Sequence, residues 1–558
     1  MAEREFNLCE EPWICALGKD YKTVKLSIPD VLIHSDQYMD LAGESESQNV
    51  AILRMLLAFL HTVFYRYDET GKESAIDSEQ EAMRRWKAIW NLGHIPERPI
   101  RNYISKWHDR FWLFDDEHPF YQSPISNDGK KKFLGYFSND YTYYSASKLN
   151  GILMESREKA KLSSPMNGKN KNALSFDEAA RWVIHLQAFD DCAAKPVPPV
   201  CWPLGFALVY AKGNTFFETL MLNFVILNPA MPQRENALWV PPKPSWETEI
   251  IVPKSREEKE DRYILPPTNQ AELLSFQGAL CHLERSNGAV TGYIEIGGFR
   301  LKKENIFIEQ MTLWEKPQKG NYCPVTTAKM TPQLWRYFPS LLVDDDSVNA
   351  REPGIVSWAK VLYLNGYIPE TRMITFFAVG MRPGSKNCGI NYEYADTLQF
   401  NAGILEELGD KWVAHISEEV AVCKKLADDA GKLAVDLLKA RGTGNKSKSK
   451  TGNDDPLKKI QTAAIEQAYT LLDEPFRRWL LNLKPGQSLK ERKELRQKWR
   501  DVALTIIMDF GYDLVRKAGD HAVIGRMRVE NEKEKYCCSP DALLQFKKNI
   551  AKYNYKDK

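Results

Sequence analysis

The stretch around which the chain is organised begins with ALSFDEAARWVIHLQAF, residues 173–189. Ser175 can cap a helix, the two acidic residues that follow suit the positive end of that helix, and apolar side chains recur every three or four positions. DDCAAKPVPPV follows at residues 190–200, where prolines exclude further helix. FALVY, residues 206–210, is typical of a buried strand. The sequence thus predicts a short loop held between a helix and a strand, which suits a binding loop, although a plain connector is as common.

Length and composition exclude several classes of protein. The 558 residues suffice for about two to four domains. Hydrophobic residues make up 43%, which is typical of a globular protein. The 76 basic and 74 acidic residues nearly cancel, so a nucleic-acid site has to be a local patch. The charged N-terminus lacks a signal-peptide core, and no uninterrupted apolar run could cross a bilayer, so we expect a cytoplasmic protein.

The sequence carries no motif of a common catalytic or metal site. Its ten cysteines are scattered without a C-x-x-C pair, so we expect reduced thiols and no metal site. H-E-x-x-H, G-x-S-x-G and a G-x-G-x-x-G after a strand are all absent. These absences fit a nucleic-acid-binding assembly subunit better than an enzyme, and we predict no catalytic motif and no cofactor. A stand-alone cytosolic hydrolase whose residues meet only in the folded chain remains the alternative.

The first 400 residues predict a mixed α/β domain. Helices are predicted at residues 48–64, 173–189 and, in aromatic-rich runs, between 86 and 114. Strand or hairpin patterns occur at residues 206–210, 289–296, 306–308 and 374–380. A polar loop rich in Pro, Gly and Asn follows the last of these strands and is the second candidate binding loop.

Beyond residue 400 the pattern becomes that of a helical bundle. From Trp412 to Leu437 the apolar residues step by three and four, which predicts a helix of about seven turns with one apolar seam. Further helical segments follow at residues 461–481, 490–517 and 540–553. We therefore predict an α+β fold in which a large mixed α/β domain, residues 1–400, precedes a C-terminal four-helix bundle, residues 401–558.

Two loops concentrate lysines among Ser, Asn and Gly. The first contains Lys161, Lys169 and Lys171, and the second contains Lys446, Lys448 and Lys450. Lysines on such segments can follow a nucleic-acid backbone, whereas a solvated lysine loop is the alternative without function.

Several short motifs together resemble a known family. They are FNL (6–8), PWI (12–14), LAG (41–43), AILRMLLA (51–58), HPFYQ (118–122), ALS (173–175), EAAR (178–181), LQAF (186–189), FFETL (216–220) and LN (222–223). In order and spacing they are similar to the large subunit, CasA, of the type I-E CRISPR Cascade surveillance complex. The resemblance implies a non-catalytic subunit that works with a guide RNA and other Cascade subunits. It also implies that the subunit recognises the protospacer-adjacent motif (PAM) on double-stranded target DNA, promotes strand opening and recruits the helicase-nuclease.

The resemblance implies a PAM-facing loop at Ala193, Ala194 and Lys195, where the family has a glycine-rich minor-groove loop. Alanine still permits a close approach, and Lys195 adds a donor, which leaves room for a PAM preference different from that of relatives with glycines. The family's minor-groove lysine corresponds to Lys303 or, one position earlier, to Lys302. The zinc-binding cysteine cluster of some members is absent.

The resemblance also implies a DNA wedge at Ser385, Lys386 and Asn387, in the loop after the strand at residues 374–380. Asn387 stands where the family usually has Gln, so its amide is one methylene shorter. A purely structural scaffold, in which none of these loops affects DNA, remains a third hypothesis.

Overall fold

The computed structural model describes residues 4–124, 132–133, 136–137, 142–153, 169–189, 201–203, 206–229, 237–249, 263–302, 304, 306–317, 320–326, 331, 333–343, 351–383, 390–406, 412–442, 455–530 and 533–554. The chain forms two compact units. The first comprises Met1–Pro332, Asp344–Leu362 and Thr375–Thr397, and the second comprises Gln333–Val343, Tyr363–Ile374 and Leu398–Lys558. The second unit therefore contains the predicted bundle segment and two shorter segments from earlier in the chain.

Helices and strands alternate through the first unit, and helices dominate the second. The helices are α1 Ile28–Ile33, α2 Glu46–Arg66, α3 Glu79–Leu92, α4 Glu97–Trp107, α5 Ala146–Leu149, α6 Phe176–Phe189, α7 Phe216–Asn223, α8 Gln270–Leu274, α9 Phe338–Leu342, α10 Gly354–Leu364, α11 Trp412–Arg441, α12 Pro456–Leu481, α13 Leu489–Ala518, α14 Asp520–Ile524 and α15 Ser539–Ala551. The strands are β1 Glu5–Asn7, β2 Ile14–Gly18, β3 Thr23–Leu26, β4 Tyr38–Leu41, β5 Trp112–Phe114, β6 Lys132–Phe133, β7 Tyr136–Phe137, β8 Thr142–Ser145, β9 Ala207–Lys212, β10 Tyr263–Ile264, β11 Ala279–Ser286, β12 Ala289–Gly297, β13 Arg300–Leu301, β14 Trp314–Glu315, β15 Cys323–Pro324, β16 Met373–Pro383, β17 Ile390–Asn401, β18 Arg526–Glu530 and β19 Lys533–Cys537. The prediction of an α+β fold with a C-terminal helical bundle is confirmed.

Helix α2 is the core helix of the first unit. It begins after Ser45, whose Oγ accepts a hydrogen bond from the Gln48 N–H at 3.2 Å. Every residue from Ser47 to Phe64 is buried, and the helix packs against α6 and α8. Among the described residues, only α2 is long and apolar enough to cross a membrane, and 94% of its apolar window is buried inside the protein. Such burial is typical of the core helix of a globular domain.

The sheet that matters most for the candidate site has the order β17-β16-β9. Strand β16 runs antiparallel to β9, with Thr375 opposite Lys212 and Gly380 opposite Ala207. The last residues of β16 and the first residues of β9 therefore lie at the same end of the sheet.

Two local predictions were wrong. Residues 112–114, predicted as helical, form β5, which pairs antiparallel with β1 and sets Trp112 opposite Asn7. Residues 306–308, predicted as β-hairpin material, form a 3₁₀ helix. There the Ile308 carbonyl accepts hydrogen bonds from the Gln270 and Gln310 side chains instead of from a neighbouring strand. Both segments are too short for their periodicity to outweigh tertiary contacts.

The second unit is organised around α11. This helix packs against α12, α13 and α15, and α13 also packs against α12 and α15. Aromatic rings fill the centre, where Trp479 stacks on Trp499 and the Phe476 ring lies edge-on to both. Sequence reasoning missed the short α14 and the β18-β19 hairpin, which lie between α13 and α15 in the chain.

Candidate nucleic-acid interface

Helix α6, which precedes the segment 190–200, is fixed at its start by a buried arginine. Arg181 donates from Nη1 to the Trp13 carbonyl oxygen at 2.6 Å and to Asp177 at 2.9 Å, and from Nη2 to Glu44 at 2.6 Å. Burial raises the pKa of Asp177, but hydrogen bonds from Lys25, Ser175 and Arg181 outweigh that effect and lower it to about 2. The Asp177 carboxylate therefore stays charged and holds the first turns of α6 against the N-terminal strands.

The last turns of α6 are fixed by a buried amide. Gln187 Nε2 donates to the carbonyl oxygens of Tyr121 (3.1 Å) and Ala279 (2.9 Å), and its Oε1 accepts from the Ala279 N–H at 3.1 Å. The amide thus replaces a stretch of backbone pairing at the start of β11. Because this clamp lies two residues before the end of α6, it fixes where the chain enters the segment 190–200.

The chain leaves that segment through a second set of buried contacts. Cys201 Sγ lies 3.2 Å from the Leu186 carbonyl oxygen, so the exit lies beside the entry. Trp202 Nε1 donates to Glu309 Oε2 at 2.9 Å. Arg54 on α2 binds both oxygens of Glu309 at 2.9 Å, and the Met311 N–H adds a further bond at 3.0 Å. These bonds compensate the negative charge of Glu309 inside the core. Glu309 therefore connects α2 with Trp202, just after the segment 190–200.

The two predicted DNA-facing loops attach at one end of the same sheet. The segment 190–200 leads through Cys201 into β9, and the segment 384–389 joins β16 to β17. Gly380 near the end of β16 pairs with Ala207 at the start of β9. The antiparallel register therefore sets the end of β16, which precedes the segment 384–389, beside the start of β9, to which the segment 190–200 leads. No sequence pattern indicated this pairing, since 160 residues lie between the two strands.

A cleft of about 570 Å³ opens beside these attachment points. Its lining comes from the chain before and at the start of α2, from the turn after α5, from α6 and from both strands of the β16-β17 hairpin; the residues are Gly43, Glu44, Ser45, Glu46, Ser47, Asn49, Gly151, Ile152, Trp182, His185, Met381 and Glu393. Ser47 N–H donates to Glu393 Oε1 at 2.5 Å, and Ser47 Oγ is hydrogen-bonded to His185 Nε2 at 3.0 Å. Burial lowers the pKa of His185 to about 3, so the ring is neutral at physiological pH.

The sequence of this chain matches one known protein family over most of its length. The sequence model of the CRISPR-associated protein Cse1 family matches residues 7–509, which is most of the chain.

This chain belongs to the Cse1 family.

Known Cse1 proteins resemble the chain in sequence and in fold. A CasA/Cse1 protein of Thermus thermophilus is 28% identical over 239 residues, and this alignment covers 43% of each chain, less than half of that relative's length. The crystal structure of Thermobifida fusca Cse1 superposes with a TM-score of 0.74 at 23% identity, covering 99% of this chain and 98% of that one. A chain of a structure described as a CRISPR RNA-guided surveillance complex, pre-nicking, gives a TM-score of 0.59 at 15% identity, with both chains fully covered. The resemblance predicted from the motifs is confirmed.

Three of the predicted site residues lie in the described part of this Cse1-family chain. Lys302 follows β13, its side chain is half-buried, and its N–H donates to the Ile264 carbonyl oxygen at 2.8 Å. Lys169 and Lys171 belong to a 3₁₀ helix, Lys169–Asn172. The remaining predicted residues lie outside the described residues; they are Ala193, Ala194, Lys195, Lys303, Ser385, Lys386, Asn387, Lys161, Lys446, Lys448 and Lys450.

In the described ranges, no group of three or more His, Cys, Asp or Glu side chains could hold a metal ion. The eight described cysteines form no disulfide, and five of them are buried.

Sequence reasoning missed most residues that fix the loop attachments. Arg54 did carry a signal, because a charge inside an otherwise apolar helix stripe needs a buried partner. Glu393 carried none, since it is one of many glutamates and its partner Ser47 is 346 residues away.

Proposed function

We propose that this chain is a non-catalytic subunit of an RNA-guided antiviral surveillance complex and acts in the cytoplasm with a guide RNA and other Cascade subunits. Membership of the Cse1 family and the likeness to a chain of an RNA-guided surveillance complex support the proposal. The observation that carries it is the pairing of β16 with β9, which sets the strand before the segment 384–389 beside the strand to which the segment 190–200 leads.

In this proposal the first loop reads the PAM of double-stranded target DNA. Ala193 and Ala194 let the backbone approach the minor groove, and Lys195 donates to a base edge or a phosphate. Lys303, or Lys302 in its place, adds a second cation. Minor-groove readout is degenerate, so a few such donors suffice and the PAM preference is relaxed. Full sequence specificity then comes from pairing with the guide RNA.

The second loop opens the duplex next to the PAM. Ser385, Lys386 and Asn387 form its wedge, which separates the first base pairs while the guide RNA begins to pair. Unstacking one step costs a few kcal/mol, which the wedge and the first guide-target pairs offset together. Attachment of both loops to one sheet end keeps reading and opening at adjacent positions on the DNA. The opened complex then recruits the helicase-nuclease.

The two predicted domains carry different nucleic-acid-binding segments. Residues 1–400 carry the PAM-facing loops, and the bundle, residues 401–558, carries the basic segment with Lys446, Lys448 and Lys450. These three, together with Lys161, Lys169 and Lys171, bind nucleic-acid backbone without regard to sequence.

Co-purification followed by a gel-shift assay at fixed salt tests the proposal. The chain should purify with a guide RNA and the small Cascade subunits, and the complex should bind duplex with a PAM more tightly than duplex without one. Lys195→Ala and Lys303→Ala should each weaken PAM binding by about 1 to 3 kcal/mol, roughly 5- to 150-fold. Lys302→Ala distinguishes the two lysines, and Lys22→Ala, an exposed lysine between β2 and β3, is the control. Equal binding by wild type, Lys195→Ala, Lys302→Ala and Lys303→Ala would contradict the proposal.

A further inference from the structure

A chain of side-chain contacts joins the stem of the 384–389 segment to the last residue of α6. Glu393 on β17 accepts a hydrogen bond from the Ser47 N–H at 2.5 Å. Ser47 Oγ is bonded to His185 Nε2 at 3.0 Å. The His185 ring packs on the ring of Phe189, with 5.4 Å between centroids, and Phe189 is where α6 ends. We call Glu393, Ser47 and His185 the relay.

Glu393 completes the capping of α2 in a way that local residues do not. Ser45 Oγ accepts a hydrogen bond from the Gln48 N–H. The Asn49 side chain accepts one from the Gly43 N–H, and the Gln48 side chain accepts one from the Glu44 N–H. The Ser47 N–H in the first turn is instead bound by a carboxylate from β17. The bond is favourable because the N-terminal end of a helix attracts negative charge, and it ties the hairpin stem to the core helix.

The middle of the relay is held by tight packing. His185 is buried, and the Trp182 ring meets it edge-on at 5.1 Å. A Cβ on Gly151 would lie 2.4 Å from Trp182 Cζ3 and 3.2 Å from His185 Cε1. The His185 ring therefore has little room on the side of Gly151 and Trp182, although its other side lines the cleft, so a displacement of Ser47 strains or breaks the bond to the ring.

We propose that Glu393 is a positioning residue for strand opening, which through Ser47 and His185 ties the start of β17, just after the segment 384–389, to the last turn of α6, just before the segment 190–200. The inference rests on the proposed function, because it assigns reading to the segment after α6 and opening to the segment between β16 and β17. Its consequence is that PAM binding and strand opening are coupled through the start of α2. Without the relay, the complex binds PAM duplex but opens it slowly.

The test measures PAM binding and strand opening separately in the reconstituted complex, with permanganate footprinting for opening. Glu393→Ala should bind PAM duplex within about twofold of wild type and open fully paired DNA roughly ten- to a hundredfold more slowly, as expected for the loss of a hydrogen bond to a charged group. Opening of DNA with a pre-melted bubble beside the PAM should not change. Glu393→Gln keeps an oxygen acceptor and should recover most of the rate.

A second variant and a matched control separate the relay from general loss of stability. Ser47→Ala removes the bonds of Ser47 Oγ to His185 Nε2 and to Ser45 Oγ, both at 3.0 Å, but keeps the Ser47 N–H bond to Glu393, and it should slow opening of paired DNA in the same way. Glu491→Ala is the control, because Glu491 also accepts a first-turn bond, from the Ser488 N–H at 2.8 Å, but does so on α13 of the second unit. It should open paired DNA at the wild-type rate.

The outcomes distinguish the relay from the proposed function. Wild-type opening that does not depend on the PAM overturns the proposed function, and with it the coupling. PAM-dependent opening in wild type with an unchanged rate in both Glu393→Ala and Ser47→Ala overturns the relay alone. An equal loss on paired and bubbled DNA, or an equal loss in Glu491→Ala, also overturns it.

Discussion

Arg54 lies in the middle of the apolar helix α2, where a charged side chain is stable only beside a partner, and Glu309 provides that partner. The exposed fractions of the two side chains are 3% and 0%, so water screens the pair very little. Glu309 also holds Trp202, at the exit of the segment 190–200. Removing either charge would leave the other buried without its counterion.

Arg54→Ala should lower the free energy of unfolding of the first unit by about 3 to 5 kcal/mol, because it leaves the Glu309 carboxylate buried without its arginine. Hydrogen exchange of α2 peptides across a urea series measures the change. Arg101→Ala is the control, since its partner Glu97 is an exposed i,i+4 neighbour on α4 and such pairs contribute about 0.3 to 0.5 kcal/mol. Similar losses in the two variants would contradict this account of the core.

Two buried histidines make the first unit sensitive to acid. Burial lowers the pKa of His61 and of His185 to about 3, so both rings are neutral in the folded chain. An unfolded histidine titrates near 6.5, so the unfolded chain binds more protons between these values. The free energy of unfolding should therefore be highest above about pH 6.5 and fall by about 1.4 kcal/mol per pH unit for each histidine as the pH drops towards 3.

His61→Leu should reduce the slope of the free energy of unfolding against pH by the contribution of one histidine, about 1.4 kcal/mol per pH unit. This change in slope is expected whether or not the substitution alters stability at neutral pH. Urea midpoints of α2 exchange between pH 7 and pH 4.5 measure the slope. His94→Leu, an exposed histidine after α3, should leave the slope unchanged. An unaltered slope in His61→Leu would show that the ring is not buried in its neutral form.

At the scale of elements, sequence reasoning succeeded where a pattern was long. The helices α2, α6, α11, α12 and α13 were predicted because their apolar positions repeat over several turns. It failed at residues 112–114 and 306–308, where partners far along the chain decide the conformation. Proline-rich and polar patterns predicted the two loops, and the family resemblance supplied the roles of their residues, whereas the pairing of β9 with β16 could be seen only in the structure.

The helices of the second unit are joined by a buried ionic cluster. Glu419 on α11 is fully buried and accepts hydrogen bonds from Arg496 (3.0 Å) and Arg500 (2.8 Å), both on α13. Arg500 also donates to the Tyr553 carbonyl oxygen at 2.7 Å, just after α15. One carboxylate thus fixes the register of α11 against α13, and Arg500 connects α13 to the end of α15.

Glu419→Gln should destabilise the bundle by about 3 to 5 kcal/mol, because two guanidinium groups would be left against a neutral amide. Hydrogen exchange of α13 peptides is the measurement. The neighbouring Glu418 is mostly exposed and contacts only Arg496 of these two arginines, so Glu418→Gln should change little. Equal effects of the two changes would argue that packing, and not the buried charge, fixes the helices.

At the scale of the whole molecule, a net charge of only +2 requires nucleic-acid binding to depend on local segments. Neutralising Lys446, Lys448 and Lys450 should lower affinity similarly for all DNA sequences and reduce the salt slope of binding by up to about 3, about one unit per lost phosphate contact. Titration of binding against salt measures it. Neutralising Lys424, Lys425 and Lys548, which are exposed on bundle helices, is the control. An unchanged slope in the first variant would identify its segment as a solvated linker.

In the proposed function this chain opens DNA beside the motif that it reads, and strand opening by the assembled complex measures that step. Permanganate footprinting should show PAM-dependent opening of fully paired targets. The double variant Lys386→Ala with Asn387→Ala should slow that opening and leave targets with a pre-melted bubble nearly unaffected, because only paired DNA requires unstacking. Equal opening rates for the double variant and wild type on paired DNA would contradict the wedge, and opening independent of the PAM would contradict the proposed function as a whole.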